Sequence, residues 1–468
     1  MSKTKVAEKR DSIIENPLGT ESIGKLLLRF GIPAVVSTLV NAAYNLIDQV
    51  LIGNAVGMLG IAATNVAFPL STLSAAISFL IGTGGASNYN LRLGEGDKEA
   101  ADAFAGNTLS LLAIIGIAVG TAALVFVHPL IFAFGSTEAI EPLALPYTAI
   151  VSIGMPFGIF TTGASALIRA DGSPRYAMGC TLVGAALNLA VDPIIAFVLK
   201  WGIVGLAWST TIGQIITACI CVVYFVKKTK TISIKKEYIF PKKYLSGRIC
   251  ALGIAPCINQ LGMSVLQITM NNTLRYYGAL SKYGSNVPLG SVGAIAKLNT
   301  LFLAFTIGIG QGSQPLHGFN YGAKKYDRVK KTLSMAIIAA SLISIAVFTV
   351  FQLFPRQIMV IFGEDDPLYV EFAIHYLRIF MFMTFANGIQ PVAATFFTSI
   401  GKYKRGLLIS LTRQIIFILP LLVILPLFFG LDGAIWAGPI ADFCAVSVSA
   451  VMVFIEIRNI NALQLVQL

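Results

Sequence analysis

Charged residues are scarce in this chain. Only 12% of its 468 residues are Asp, Glu, Lys or Arg, while 56% are hydrophobic; soluble domains carry about 25% charged residues. A soluble protein with so few charges could not cover its own surface, and a disordered chain would contain far fewer apolar residues. The composition therefore excludes an ordinary soluble enzyme and predicts a membrane protein.

Residue types that carry catalytic chemistry are also sparse. The three histidines, His128, His317 and His375, lie far apart, and no cysteine stands at metal-ligand spacing from any of them. The six cysteines are interpreted as buried thiols, because most of them fall within apolar runs. The glycine-rich segment 82–85 lies in an apolar run without a preceding strand, so it predicts close helix packing, not phosphate binding. The sequence favours a protein that is not an enzyme and uses no cofactor.

Apolar runs long enough to cross a membrane recur along the whole chain. They predict an all-α integral membrane protein, because a spanning helix needs about 20 apolar residues whereas a spanning strand needs about 10. About twelve transmembrane helices are expected, at roughly 27–52, 61–91, 103–127, 143–168, 176–199, 203–226, 249–274, 288–316, 332–354, 368–398, 407–428 and 433–457.

Basic residues are concentrated in every second loop. Segment 227–248 alone carries eight Lys and Arg residues, whereas the other set of loops holds only Lys200, Arg275, Lys282 and Arg356. Loops rich in Lys and Arg stay in the cytoplasm, so both termini are expected there, in a multi-pass protein of a prokaryotic cytoplasmic membrane. The net charge of +12 then reflects membrane topology, and no nucleic-acid partner is expected.

The sequence repeats itself at an offset close to half its length. Similar segments pair as 30–32 with 252–254, 81–87 with 307–313, 134–135 with 362–363, and 202–208 with 430–436. This predicts two pseudo-symmetric lobes of six helices with the same orientation, as in transporters with parallel repeats. We expect a cytoplasmic N-terminal segment 1–24, an N-lobe 25–226, a basic linker 227–248, a C-lobe 249–457 and a tail 458–468. The alternative is a duplicated scaffold without a transport role.

Polar side chains form stripes on three helices of the predicted N-lobe. Their spacings of three and four place the members of each stripe on one helix face: Ser37, Asn41, Tyr44, Asn45 and Asp48 in the first helix, Asn188 and Asp192 in the fifth, and Thr210, Gln214 and Thr217 in the sixth. If the stripes converge, Asp48, Asn188, Asp192 and Thr210 form a buried cation site. Burial and like charge favour a protonated carboxyl group, and the same oxygens suit Na⁺, so H⁺ and Na⁺ both remain open. The alternative is that the acids cap helices or pair with basic residues.

The matching helix of the second half keeps the polar stripe without its acid. Gln260, Ser264, Gln267 and Asn271 follow the same spacing, and Asn271 falls within one residue of the repeat position of Asp48. The carboxylate chemistry is therefore predicted for the first half only. Candidates for the wall of a substrate cavity are Asn41, Tyr44, Asn45, Gln260, Gln267, Asn271 and Lys297; three further basic residues (His375, Arg378 and Arg413) and Asp442 could line it, pair internally or reach an interface.

Several motifs resemble one transporter family over nearly the whole chain. Segments 45–48, 94–99, 169–174, 187–193 and 202–210 are similar, in order and spacing, to motifs of the multidrug and toxic compound extrusion (MATE) transporters. The resemblance implies twelve helices in two lobes that form a V, and antiport in which H⁺ or Na⁺ enters as an organic compound leaves.

The same resemblance implies which residues act. Members with a cation site in the N-lobe match this chain at Asp48, Asn188, Asp192 and Thr210. The NorM-like branch has an acid in the seventh helix that this sequence lacks, so the chain looks closer to the DinF-like and MepA-like branches. A small organic substrate, cationic or amphipathic, is the expected cargo of a monomeric protein in the lipid bilayer.

Two other classes of function remain as alternatives. A flippase for lipid-linked or phosphate-bearing cargo belongs to the same wider superfamily, and it would be expected to line its cavity with several cations. A membrane receptor or scaffold without transport is the other alternative, and the internal repeat and the buried acids count against it.

Overall fold

The computed structural model describes residues 16–284, 286–360 and 367–465, and almost all of them are helical. Among these residues, eleven apolar helical stretches are long enough to span a membrane. The last of them, Tyr403–Leu465, contains two spans, because Gly430 has non-helical backbone angles (φ 57°, ψ −135°) and breaks it. The prediction of about twelve spanning helices in an all-α fold is therefore confirmed.

The first lobe contains six helices. They are α1 (Ile23–Val56), α2 (Met58–Gly94), α3 (Lys98–Val125), α4 (Glu141–Ala170), α5 (Pro174–Pro193, continued by the π-helical turns Ile194–Leu199) and α6 (Gly202–Lys227). A short helix, Val127–Ala133, lies between α3 and α4.

The second lobe repeats this order after the linker. It contains α7 (Lys243–Ala279), α8 (Asn286–Gly322), α9 (Tyr326–Leu353), α10 (Pro367–Phe380, a 3₁₀ turn Phe382–Phe385, and Ile389–Ser399), α11 (403–429, with π-helical turns Thr412–Ile418) and α12 (431–465). The short helix Pro355–Val360 follows α9, as Val127–Ala133 follows α3.

Several helix ends lie outside the predicted segment bounds, and two of them differ by more than a few residues. α7 begins at Lys243, inside the predicted linker 227–248, and α12 continues to residue 465, inside the predicted tail. Both extensions are polar or basic turns that a hydropathy pattern does not register. The division into five segments stays a prediction, and residues 1–15, 362–363 and 466–468 lie outside the described residues.

Unusual backbone conformations recur at the repeat offset. Gly202 and Gly430, 228 residues apart, have φ angles of 61° and 57°, Gly202 as the first residue of α6 and Gly430 directly before α12. Gly96 and Lys324 are also 228 apart, with φ angles of 74° and 56° in the turns after α2 and α8. A left-handed φ is costly for a residue with a side chain. Lys324 nevertheless has the same left-handed conformation as Gly96, so the two halves follow the same backbone path at this turn.

Glycines bring the two lobes into contact through related pairs. A Cβ on Gly84 of α2 would lie 2.0 Å from the Ile249 carbonyl oxygen of α7, and a Cβ on Gly312 of α8 would lie 2.5 Å from the Cα of Gly31 in α1. Only glycine permits such backbone approach. The predicted helix-packing role of segment 82–85 therefore agrees with the structure.

Within the described residues, the lobes touch in one half of the molecule. Hydrogen bonds and closest approaches between described residues of the two lobes lie toward the end that carries the basic loops, which we call the basic end. The contact farthest from that end joins the Thr38 hydroxyl of α1 to the Ala304 carbonyl of α8, at 2.7 Å. Beyond it, Asn41 and Asn45 of α1 are exposed, and no hydrogen bond joins described residues of the two lobes. We infer from this that a cleft separates the lobes and opens at the opposite end.

Two segments at the basic end pack across the lobes. The segment before α1 binds the C-lobe, where Arg328 donates to the carbonyls of Leu18 and Glu21 at 3.0 and 2.7 Å and Asn320 donates to Leu18 at 3.0 Å. The segment before α7 binds the N-lobe instead. There the buried Asp171 carboxylate accepts hydrogen bonds from the backbone amides of 230–232 at 2.7–2.9 Å.

Candidate functional site

The predicted cation site lies where α1, α5 and α6 meet in the N-lobe. Asn188 and Asp192 of α5 are buried, with 6% and 1% of their surfaces exposed, because their shared face turns toward α6. The Tyr44 hydroxyl of α1 lies 3.2 Å from the Thr210 hydroxyl of α6, which fixes the two helices side by side. Asp48, one turn after Tyr44, is half-buried and lies within electrostatic range of Asp192. The structure thus brings together the four residues of the predicted site; their role in binding stays a prediction.

Neither carboxyl group of this site has a basic partner within the described ranges. The ion pairs of the structure do not include Asp48 or Asp192. Both acids lie in helix interiors, so neither caps a helix. The alternative that these acids serve as caps or ion-pair partners therefore finds no support in the geometry.

Two buried oxygens of the site have no hydrogen-bond partner. They are Oδ1 of Asp192 and Oδ1 of Asn188, and Gly213 of α6 leaves the space into which the Asn188 amide fits. A buried polar atom without a partner costs about 1–3 kcal/mol, so a cation or a water molecule bound to these two oxygens would stabilise the site. Carboxylate and amide oxygens are the hard ligands that suit H⁺ or an alkali cation.

Two members of the site were missed by the sequence analysis. Tyr147 of α4 lies within electrostatic range of both carboxyl groups, and the Ser209 hydroxyl is placed to interact with Asp192. Ser209 directly precedes Thr210 and could have been found from that adjacency. Tyr147 belongs to a helix without a polar stripe, so no spacing rule points to it.

The backbone of α5 changes its winding directly after Asp192. The helix continues through Pro193 into π-helical turns over Ile194–Leu199. Proline removes one backbone donor and forces such a rearrangement, and π-helical turns frequently occur at functional sites. The kink next to Asp192 therefore shapes the site and leaves the carboxyl group in the protein interior.

The predicted cavity residues mostly face the cleft between the lobes. Asn45 lies two turns beyond Thr38 on one face of α1, and Lys297 lies two turns before Ala304 on one face of α8, so both continue the faces that join the lobes. Gln260 and Asn271 share a face of α7 with Gly253, which contacts the Leu80 carbonyl of α2.

The remaining cavity candidates are divided between the cleft and the N-lobe. Asn41 is exposed beside Asn45, whose amide donates to its carbonyl at 2.8 Å. Gln267 donates to Asn271 at 2.9 Å along the cleft face of α7. Tyr44 differs, since its hydroxyl turns away from the cleft toward Thr210.

The C-lobe holds a different buried polar cluster. Arg413 of α11 and Asp442 of α12 form an ion pair of 2.6 Å, and Asn387 donates to the second oxygen of Asp442 at 2.6 Å. All three side chains are buried. Arg413 and Asp442 thus pair internally and do not line the cleft. His375 pairs with Asp432 at 3.3 Å on the surface.

Comparison with known proteins agrees with this architecture. A family model described as MatE matches residues 33–194 and 258–424, one match in each lobe. The chain belongs to the MatE family. Its members are the multidrug and toxic compound extrusion transporters, so the chain is a multi-pass membrane transport protein.

Curated relatives of this MatE chain cover nearly its full length. It is 25% identical over 438 residues to the multidrug export protein MepA of Staphylococcus haemolyticus, with 94% of each chain covered. It is 25% identical over 439 residues to MepA of Staphylococcus aureus, covering 93% of this chain and 94% of that protein.

Solved MatE structures have the same fold. A crystal structure of a MATE protein in complex with MaD3S matches with a TM-score of 0.88 at 22% identity, covering 95% of this chain and 98% of the other. A multidrug resistance MATE transporter in an outward-facing conformation matches with the same score, identity and coverage. These likenesses establish the two-lobe fold, and the chemistry of the site is argued from its own residues.

Proposed function

We propose that this chain is a secondary antiporter that exports organic compounds in exchange for H⁺ or Na⁺. The observation that carries the proposal is the pair of buried, unpartnered oxygens of Asn188 and Asp192 beside the Asp48 carboxyl group. A site built to hold a cation would leave oxygens of this kind free, whereas a structural acid would keep a permanent partner. The names of the relatives, which are multidrug export proteins, agree with export of varied compounds.

The coupling step is the neutralisation of two acids that repel each other. With the cleft open away from the basic end, a cation binds between Asp48 and Asp192 and removes their repulsion. The Tyr44–Thr210 contact links this event to α1, whose Asn41 and Asn45 line the cleft. A shift of α1 then weakens substrate contacts, the compound leaves, the lobes rock, and the cation is released on the other side.

The orientation assigned to this cycle follows the charge of the loops. The basic end faces the cytoplasm, so the contacts of Gly84 and Gly312 close the cytoplasmic side and the cleft opens outward. One chain supplies both lobes and the whole cleft, and we take the monomer as the functional unit.

The driving force for this exchange is sufficient for drug export. An uncompensated charge moving inward is worth about 2.3 kcal/mol per 100 mV, so about 150 mV supplies roughly 3.5 kcal/mol. That energy sustains a substrate gradient of roughly a few hundred-fold, since each 1.4 kcal/mol is a factor of ten. When a monovalent cationic substrate leaves for each H⁺, the electrical part cancels and only the pH gradient drives export.

The flippase alternative finds fewer cations than it needs. A phosphate-bearing cargo calls for several basic side chains in the cleft. Of the candidates, Arg413 is engaged by Asp442, and Arg378 lies near the Gln352 carbonyl on the surface, 3.4 Å away. Lys297 alone of these three residues faces the cleft, which favours organic compounds as cargo.

The test is efflux of ethidium from proteoliposomes under an imposed pH gradient or Na⁺ gradient. We expect gradient-driven efflux in the wild type, and its loss in Asp48→Asn and in Asp192→Asn. Asp327→Asn is the matched control, because this carboxylate is exposed at the basic end. The gradient that drives wild-type efflux identifies the coupling ion.

Two results would contradict the proposal. Full efflux in both N-lobe variants would remove the cation role of this site. Absence of efflux in a folded wild type under either gradient would redirect the function toward lipid-linked cargo, which a fluorescent phospholipid translocation assay in the same vesicles would then detect.

A further inference from the structure

The linker between the lobes is pinned to the N-lobe along its length. The Asp102 carboxylate of α3 accepts a hydrogen bond from the Ser233 amide at 2.9 Å. One turn further along α3, the Asn107 side chain accepts from the Lys242 amide at 2.7 Å and donates to the Tyr238 carbonyl at 3.0 Å. Both ends of segment 233–242 are therefore held at fixed places on α3.

A groove lies between this pinned segment and the outer face of α3. Its volume is about 380 Å³. One wall is the face of α3 from Gly106 to Ile114, and the other is formed by linker residues that include Phe240 and Pro241. The one hydroxyl in these walls donates internally, from Ser110 to the Gly106 carbonyl at 3.0 Å. The groove is therefore apolar, and it exists without a ligand because hydrogen bonds fix both of its sides.

The groove runs from the basic end into the depth of the membrane. From Gly106 to Ile114 the helix rises about 12 Å, and Ile114 and the next turn, at Ile117, are exposed apolar positions that lipid would cover. Phe240, in the wall of the groove, is 78% exposed, and Tyr244, three residues after Pro241, is 67% exposed. Aromatic side chains at such positions are typical of the membrane–water interface.

The mouth of the groove carries an excess of positive charge. Lys235 adjoins Ile234 in sequence, and Lys242 and Lys243 follow Pro241; all three are exposed. Segment 227–248 contains eight Lys and Arg residues against the single acid Glu237, whose contact with Lys235 is a long 4.0 Å between exposed groups. An exposed pair of this kind is weak. The Lys235 ammonium also lies 5.6 Å from the centre of the Tyr238 ring and within electrostatic range of Asp102. Its side chain stays 56% exposed, so a phosphate group can still reach it.

We propose that this groove binds an anionic phospholipid of the leaflet at the basic end. The apolar groove would hold one acyl chain. Lys235, Lys242 and Lys243 at its mouth would bind the phosphate and a negatively charged headgroup. Basic clusters at the membrane surface attract anionic lipids. This inference does not depend on which ion drives transport, because the groove lies outside the cleft and outside the N-lobe cation site.

The test is native mass spectrometry of the delipidated full chain in a neutral detergent. Phosphatidylglycerol and phosphatidylcholine with identical acyl chains are titrated separately. We expect phosphatidylglycerol to bind about tenfold or more tightly, from a contribution by each of three lysines. Equal affinities for the two lipids would overturn the proposal.

Lysine variants separate this site from general surface charge. The triple variant Lys235→Gln, Lys242→Gln and Lys243→Gln should bind both lipids equally. The control Lys324→Gln, Lys331→Gln and Lys404→Gln removes the same charge from exposed lysines at the basic end of the C-lobe, and it should keep the preference. Equal loss in both triple variants would show a diffuse charge effect and contradict a defined site.

A groove-filling variant tests the acyl-chain part. Ala113→Phe places a ring in the channel from a half-buried position, and its fold is checked by its elution profile and thermal midpoint. We expect weaker binding of long-chain phosphatidylglycerol, by about the same tenfold, and little change for a dihexanoyl analogue whose chains are too short to fill the groove. Unchanged binding of the long-chain lipid in a folded variant would overturn the proposal.

Discussion

The two lobes share one backbone path and differ in how they treat buried charge. In the C-lobe, Asp442 is neutralised by Arg413 at 2.6 Å and by Asn387. In the N-lobe, Asp192 is equally buried, yet no described basic residue pairs with it, and one of its oxygens has no partner. A duplicated scaffold does not need a free acid, since the C-lobe folds without one. The unpaired acid of the N-lobe is therefore not required by the shared fold and points to a function of that lobe.

Removing the arginine of the C-lobe pair should give the largest change in stability. Arg413→Leu leaves Asp442 buried without its cation, which costs about 3–5 kcal/mol. The thermal midpoint of the purified protein, followed by size-exclusion chromatography after heating, should fall sharply.

The double variant Arg413→Leu and Asp442→Leu is the control for that measurement. It removes both charges, and replacement of a buried ion pair by apolar residues is often close to neutral. Recovery of most of the lost stability is expected, and a double variant as unstable as the single one would show that the pair is not the cause.

The N-lobe acids should behave in the opposite way. Asp192→Asn removes no ion pair, so we expect a thermal midpoint near that of the wild type together with loss of gradient-driven efflux. Asp48→Asn should do the same, and the double variant should add nothing, because residues that act as one unit are not additive. Efflux rates and thermal midpoints of the three variants measure this, and additive effects would place the acids in separate sites.

Two glycines at equivalent repeat positions give a third test. A Cβ on Gly253 would lie 1.7 Å from the Leu80 carbonyl oxygen, whereas a Cβ on Gly31 would meet no atom within 4 Å. Gly253→Ala should therefore destabilise the contact between the lobes by about 1–3 kcal/mol. Hydrogen exchange of α2 and α7 at the basic end should become faster, while Gly31→Ala leaves it unchanged; equal effects would mean that the lobes pack there with more tolerance than the distances indicate.

The smallest change is expected from copying the N-lobe acid into the C-lobe. Asn271→Asp puts a carboxylate near the repeat position of Asp48, but its hydrogen-bonded neighbour is Gln267 and the C-lobe has Pro420 at the repeat position of Asp192. A single carboxylate lacks the like-charged neighbour that favours cation binding between two acids. We therefore expect efflux within about twofold of the wild type. A new ion preference in this variant would show that one acid is enough.

Much of the fold could be predicted because it depends on patterns that are visible in the sequence itself. Twelve apolar runs, alternating basic loops and a repeat near 228 residues determine the number, direction and grouping of the helices. The breaks were less visible. Gly430 and the 3₁₀ turn Phe382–Phe385 interrupt helices inside apolar sequence, where hydropathy does not change.

The sequence could predict only those members of the candidate site that share one face of a helix with other polar residues. Spacings of three and four found Asp48, Asn188, Asp192 and Thr210, because each stripe lies on one helix. Tyr147 was missed because its approach to the acids depends on how α4 packs, which no spacing encodes.

The same limit applies to contacts made over long distances in sequence. Arg413 and Asp442 are 29 residues apart on two helices, and Asp171 binds amides about 60 residues further along the chain. Such pairings follow from the tertiary arrangement, so a sequence pattern leaves several outcomes open for each of these charged residues.

The exchanged segments at the basic end have a consequence for how the protein is made. Leu18 leaves the ribosome early, but its partners Asn320 and Arg328 belong to α8 and the first turn of α9. Conversely, the loop containing Asp171 is completed only when residues 230–232 have been synthesised. The N-lobe contact is therefore available as soon as the linker has been made, a few residues after α6 ends at Lys227. The leading segment, in contrast, has no partner until α8 and α9 of the second lobe have been synthesised.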